Sequence, residues 1–99
     1  MTWWTLQSKG DSPVIFRLPT GSIKTVGRTA RADFILDAAL VSRVHCRVTA
    51  LPTGELEVKD LESTNGTFVN GARVGTARLA SGDRLQVGRV ELIALEESQ

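Results

Sequence analysis

His45-Cys46-Arg47-Val48-Thr49-Ala50, turned by Pro52-Thr53-Gly54 into Leu56-Glu57-Val58-Lys59-Asp60-Leu61, is the stretch that decides the fold. Side chains of a strand alternate between its two sides. Val44, Cys46, Val48 and Ala50 therefore share one face, and His45, Arg47 and Thr49 the other. In the second run Leu56 and Val58 point inward between Glu55, Glu57 and Lys59. Two alternating runs joined by a Pro/Gly turn read as a hairpin with one buried and one wet face.

The same grammar extends outward in both directions. Upstream, Trp3–Leu6, Val14–Leu18 and Ile23–Val26 are short runs separated by Gly, Pro, Asp and Ser, and Phe34–Leu36 is a brief apolar run after a polar loop. Downstream, Asn65-Gly66 and Asn70-Gly71 mark tight turns, because Asn-Gly tolerates positive φ. Thr67–Val69 and Arg73–Val74 flank the second turn, Arg84–Val87 follows Ser81-Gly82-Asp83, and Val90–Leu95 closes the domain. Glu96-Glu97-Ser98-Gln99 reads as the domain's edge or a linker. No stretch sustains a helical repeat. About ten short strands in 99 residues imply a β-sandwich or barrel.

Composition narrows the function classes. Twelve Lys and Arg stand against eleven Asp and Glu, which argues against direct nucleic-acid binding, where affinity comes from many phosphate contacts. No apolar run approaches the roughly 20 residues that span a bilayer, and the opening Met1-Thr2-Trp3-Trp4 lacks the basic and apolar regions of a signal peptide. The single cysteine, Cys46, allows no internal disulfide and suits a reducing, intracellular compartment. With one His and one Cys there is no zinc set, and Asp33, Asp37, Asp60 and Asp83 lack the spacing of a calcium loop or catalytic pair. Neither a Walker loop nor a dinucleotide fingerprint occurs. No metal and no cofactor is expected.

Three loops hold the polar groups that could bind something: Gly27-Arg28, Ser42-Arg43-Val44-His45 and Ser63-Thr64-Asn65-Gly66-Thr67. They supply guanidiniums, hydroxyls and an amide with few carboxylates, a donor set suited to a phosphate dianion with three acceptor oxygens. Gly27-Arg28, then Ser42-x-x-His45, then Thr64-Asn65-Gly66, in this order within an all-β chain, resemble the forkhead-associated (FHA) domain. Thr25–Arg28, Val41–Cys46, Asp60–Gly71 and Ser81–Gly88 are all similar to family wording, so the resemblance covers essentially the whole chain, residues 1–99, as a single domain of a longer protein.

The resemblance implies an eleven-strand β-sandwich of two twisted, mainly antiparallel sheets that binds phosphothreonine peptides at one end. By position, Arg28 and Ser42 would bind phosphate, Thr64 would add a hydroxyl, and Arg43 a backbone or side-chain donor. Asn65 would hydrogen-bond the peptide main chain, and Gly27, His45 and Gly66 would shape the pocket. It also implies a preference for phosphothreonine over phosphoserine, and a second reading at the third residue after it. Asp37–Val41 lies where that reading would occur, and its apolar Leu40 and Val41 point to an aliphatic or neutral residue there. The implied partner is a protein segment phosphorylated by a Ser/Thr kinase.

Two other readings compete. One is a phosphate-independent interaction or self-association domain, using a sandwich face or edge strand. The other is a hydrolase using Ser42 and His45, which lacks a nucleophile elbow or oxyanion segment, so no catalytic residue is expected. His45 and Cys46, as strand neighbours, point to opposite faces and cannot form a nucleophile–base pair. Cys46 is read as core, Gly88-Arg89 as a hairpin turn, and of Trp3 and Trp4 one should face the core and the other the surface.

Overall fold

The computed structural model describes residues 2–98, which form eleven strands. In chain order they are β1 (Thr2–Ser8), β2 (Ile15–Pro19), β3 (Ile23–Gly27), β4 (Phe34–Ile35), β5 (Cys46–Ala50) and β6 (Leu56–Asp60). There follow β7 (Thr67–Val69), β8 (Ala72–Val74), β9 (Thr76–Leu79), β10 (Arg84–Val87) and β11 (Val90–Ser98). One sheet has the order β2-β1-β11-β10-β7-β8 and the other β4-β3-β5-β6-β9. All pairings are antiparallel except β3 with β4. This is the two-sheet, all-β sandwich that the family resemblance implies, one of the two architectures, sandwich or barrel, that the strand pattern allowed. Among the described residues no helix is long and apolar enough to cross a membrane.

The core lies between the sheets and is built from one face of each strand. Leu6, Leu18, Leu85, Val87 and Leu92 from the first sheet meet Val26, Cys46, Val48, Leu56 and Val58 from the second, all fully buried. The β5–β6 register pairs Val48 with Val58 and Ala50 with Leu56, which puts the inward side chains of the hairpin side by side. Phe16 on β2 stacks on Phe34 on β4 across the sandwich, ring centroids 4.5 Å apart. The Trp pair divides as strand alternation requires. Trp4 is buried and donates its indole N–H to the Gly54 carbonyl at 3.0 Å, while Trp3 faces outward under the Arg17 guanidinium. Cys46 is fully buried, and burial, aided by the Asp60 charge, pushes its thiol up to about 12. A thiol held protonated in the core is neither nucleophile nor ligand.

Three expectations need correcting. Glu96–Ser98 is not a linker, because β11 runs on to Ser98 and pairs along all of β1, Trp3 opposite Glu97 and Thr2 opposite Ser98. Charged residues suit an exposed strand end as well as a linker, so composition could not separate the two. Thr76–Leu79, to which no element was assigned, is the edge strand β9, with Leu79 opposite Leu56. Four residues are too few to show a period, and the strand is fixed by its partner: Arg78 on it binds Glu55 at 2.8 Å and Glu57 at 3.4 Å. Finally, β5 begins at Cys46, so Val44 and His45 lie in the loop before it. His45 does not face solvent like Arg47 and Thr49. It is fully buried beneath the loops of one sandwich end.

Candidate functional site

The three polar loops meet at the end of the sandwich where β3 and β6 finish and β5 begins. Gly27 closes β3, and a Cβ at this position would collide with the Arg43 carbonyl and lie 2.8 Å from Val44 Cα. Only a glycine lets the β3 end and the loop before β5 come so close. The approach is held by Arg28 N–H donating to the Ser42 carbonyl at 2.9 Å and by the Thr29 N–H and hydroxyl on the Arg43 carbonyl. The Arg28 side chain donates Nε–H to the Val41 carbonyl at 3.0 Å. That bond fixes the plane of the guanidinium. Its two terminal nitrogens have no partner among the described residues, and the residue is exposed.

His45 fastens the second loop to the third. Its Nδ1 accepts from Ser42 N–H at 3.0 Å and its Nε2 lies 2.8 Å from the Gly66 carbonyl. A carbonyl can only accept, so the proton sits on Nε2 and the neutral ring satisfies both neighbours. Ser42 Oγ in turn accepts from Thr64 N–H at 3.1 Å, which leaves its hydroxyl hydrogen to donate outward. Asn65 donates its side-chain amide to the Leu40 carbonyl at 3.1 Å. Hydrogen bonds thus tie Arg28, Ser42, Thr64, Asn65, His45 and Gly66 into the loops of one sandwich end, with Gly27 packed against the Arg43 carbonyl. Arg43 is exposed at its edge, its backbone carbonyl used and its side chain without a partner among the described residues.

The two apolar candidates separate. Leu40 is exposed and adopts φ 70°, a left-handed conformation uncommon for leucine. Val41, 3% exposed, packs in the core, its carbonyl accepting from Arg28 and its N–H donating to the Ala38 carbonyl. Contrary to the expected specificity role, the Val41 side chain is part of the core and not of the exposed surface. Leu40 owes its position to Gly88, where a Cβ would lie 2.9 Å from the Leu40 carbonyl carbon and oxygen. Gly88, with φ 61°, is the hairpin turn expected from sequence but also a floor under Leu40.

Asp60 is the organiser that sequence reading missed. It accepts from Ser63 Oγ at 2.5 Å, Ser63 N–H at 3.2 Å and Thr67 Oγ1 at 2.7 Å, while Gly66 N–H donates to Ser63 Oγ at 3.0 Å. The signal was present as Asp60-x-x-Ser63 ahead of Thr67, a spacing at which an aspartate can close a turn on itself. Burial raises the Asp60 carboxyl, but the hydrogen bonds from Ser63 and Thr67 outweigh it and hold the group below its ordinary value of 3.8. A carboxyl lowered on folding stabilises the native state above the unfolded value and loses that contribution as pH falls through the native one. The wild type is expected to lose stability faster than Asp60→Asn as pH drops below about 4. Denaturant melts of both from pH 7 to pH 2 check this, and a constant gap between them would contradict it.

A concavity of about 470 Å³ opens at the opposite end among Trp4, Gly54, Glu55, Arg78, Asp83 and Glu96. Its cation, Arg78, is already bound to Glu55 and Glu57, and acids dominate its rim. It offers an anion nothing.

The comparisons agree with the geometry. A model of the FHA domain family matches residues 24–88. Over 71 residues the chain is 42% identical to the glycogen accumulation regulator GarA of Mycolicibacterium smegmatis, covering 72% of this chain and 44% of that protein. The chain spans at most about half the length of the curated relatives it matches. A solved FHA domain, studied for phosphothreonine-dependent FHA domain interactions, superposes with a TM-score of 0.88 at 34% identity, over 98% of this chain and 99% of that one. The FhaA FHA domain, crystallised with the intracellular domain of Rv3910, superposes with a TM-score of 0.83 at 36% identity, over 92% and 98%.

Proposed function

The chain belongs to the FHA domain family, and from that premise we propose that it holds a phosphothreonine-bearing segment of a partner protein on the Arg28–Ser42–Thr64–Asn65 surface. The observation that carries this reading is the Arg28 guanidinium. It is oriented by the Val41 carbonyl, and its two terminal nitrogens have no partner among the described residues; the Arg28 backbone N–H holds the Ser42 carbonyl, and Ser42 Oγ accepts from the N–H of the exposed Thr64. A planar fork tied to two hydroxyl-bearing residues suits a group with three acceptor oxygens. An aspartate in place of phosphate brings one charge and two oxygens against roughly −1.5 to −2 and three, so acidic mimics should bind poorly. Asn65 would take the peptide backbone and Arg43 would add a donor at the rim. The exposed Leu40 would meet a neutral or aliphatic side chain beyond the phosphothreonine.

The site is suited to holding rather than to turnover. His45 is buried with both ring nitrogens occupied by backbone groups, and it meets the Ser42 N–H rather than its hydroxyl. It cannot take a proton from Ser42 Oγ, as nucleophilic catalysis would require. In a longer protein the domain would recruit kinase-phosphorylated partners and contribute binding, not chemistry. Titration calorimetry with a phosphothreonine peptide pool, beside unphosphorylated, phosphoserine and aspartate versions, tests the proposal. Heat is expected with phosphothreonine and much less with the rest. Equal binding of the unphosphorylated pool would favour the phosphate-independent interaction surface instead.

A further inference from the structure

Arg73 lies on β8, outside every motif so far assigned a role. The tight turn Asn70-Gly71, with φ 49° and 85°, folds β8 back on β7 and places Arg73 opposite Phe68. From there its side chain reaches the third loop. A Cβ on Gly66 would lie 2.9 Å from Arg73 Nε and 3.1 Å from its Cζ, so the guanidinium rests in the space that the glycine leaves open. It therefore lies against Gly66, the residue that follows Asn65 in the chain.

Five arginines lie on strands, and Arg73, like Arg17 on β2 and Arg47 on β5, has no ion pair among the described residues; what sets it apart is its place against Gly66. Arg78 and Arg84 are both ion-paired, to Glu55 and Glu57 and to Glu91. Arg73 is exposed and has neither an ion pair nor a side-chain hydrogen bond among the described residues. Of the two acids at the base of the third loop, Asp60 is consumed by Ser63 and Thr67, and the exposed Glu62 makes no ion pair with Arg73. Two residues lead from Thr64 to Gly66, at most about 7 Å of extended chain. A peptide gripped by its phosphate at Thr64 would cover that distance in two or three of its own residues.

We propose that Arg73 forms a second anion-recognising position beside the phosphothreonine site, reading a carboxylate or a second phosphoester on the same peptide two or three residues away. This rests on the phosphothreonine reading above. An arginine fits either anion by the same fork, so the chemistry is shared and the source is for the test to separate.

The test uses phosphothreonine peptides with neutral flanks, in which glutamate is walked through three positions on either side, and phosphoserine then replaces the best glutamate. Each is titrated against the wild type and Arg73→Gln. At one position glutamate should tighten binding to the wild type about two- to fivefold, the range of an exposed ion pair. The gain should shrink with added salt. A larger gain from phosphoserine at the same position would identify a second phosphate as the better ligand, and a smaller one would identify a carboxylate. In Arg73→Gln the gain should vanish while the neutral-flanked peptide binds as before. An undiminished glutamate gain in Arg73→Gln, or no position at which an acid helps, overturns the inference. So does equal weakening of the neutral-flanked peptide, which would place Arg73 on the first phosphate. The parent reading is judged separately: if the neutral-flanked peptide binds the wild type no better than its unphosphorylated form, that reading fails and this one falls with it.

Discussion

Arg28→Ala is expected to reduce phosphothreonine-peptide affinity roughly ten- to 150-fold, the equivalent of about 1.5–3 kcal/mol for hydrogen bonds to a charged group. The side chain is exposed and its one internal bond is Nε–H to the Val41 carbonyl, so the fold should lose little. A thermal melt within a few degrees of wild type is the companion result. Arg28→Lys sharpens the test. Lysine keeps the charge but has neither the fork nor an Nε–H to hold its plane against Val41. It should recover only part of the lost affinity. Calorimetry on the three proteins reads both effects. If Arg28→Ala bound the phosphopeptide as tightly as wild type, the site would have to lie elsewhere.

His45→Ala should fail in a different way. The ring is fully buried and ties Ser42 N–H to the Gly66 carbonyl. Removing it leaves a cavity and two backbone groups without partners, and an unsatisfied buried group alone costs about 1–3 kcal/mol. With the lost packing, a total near 3 kcal/mol is expected, a large share of the roughly 5–15 kcal/mol that holds a small domain together. The melting temperature should fall by about 10–20 °C. Peptide binding should weaken even where the protein is still folded, because Ser42 and Thr64 would no longer be held in register. A melting temperature near wild type would show that the loops do not depend on the ring. The two substitutions thus separate the group that would touch the ligand from the strut that places it.

Much of this was legible in the chain. Val48 and Val58, or Leu56 and Ala50, betray their shared face by spacing alone, and Asn70-Gly71 announces its turn through the positive φ it tolerates. The motif residues Arg28, Ser42, Thr64 and Asn65 do come together at one end of the sandwich. What spacing could not reveal is every feature that depends on chain segments meeting from afar. Gly27 is required by the Arg43 carbonyl, Gly88 by Leu40, and Gly66 leaves room for Arg73. None of those partners can be inferred from a period. Val41 sits beside the exposed Leu40 yet is buried, because the left-handed Leu40 turns the chain between them. His45 reads by alternation as outward-facing, but the strand starts one residue later and two loops fold over the ring. Edge strands such as Thr76–Leu79 are too short to carry a pattern and exist because β6 is there to pair with them.

Amide chemical-shift mapping of the domain, titrated with one phosphothreonine peptide and its unphosphorylated twin, tests most directly where and how the ligand is held. Phosphate-dependent shifts should concentrate at Arg28, Ser42, Arg43, Thr64 and Asn65, with the far-end groove around Gly54 and Arg78 unmoved. Shifts that appear equally with both peptides, or that map to the sheet faces or the far-end groove, would contradict the assignment of this loop cluster as a phosphothreonine site.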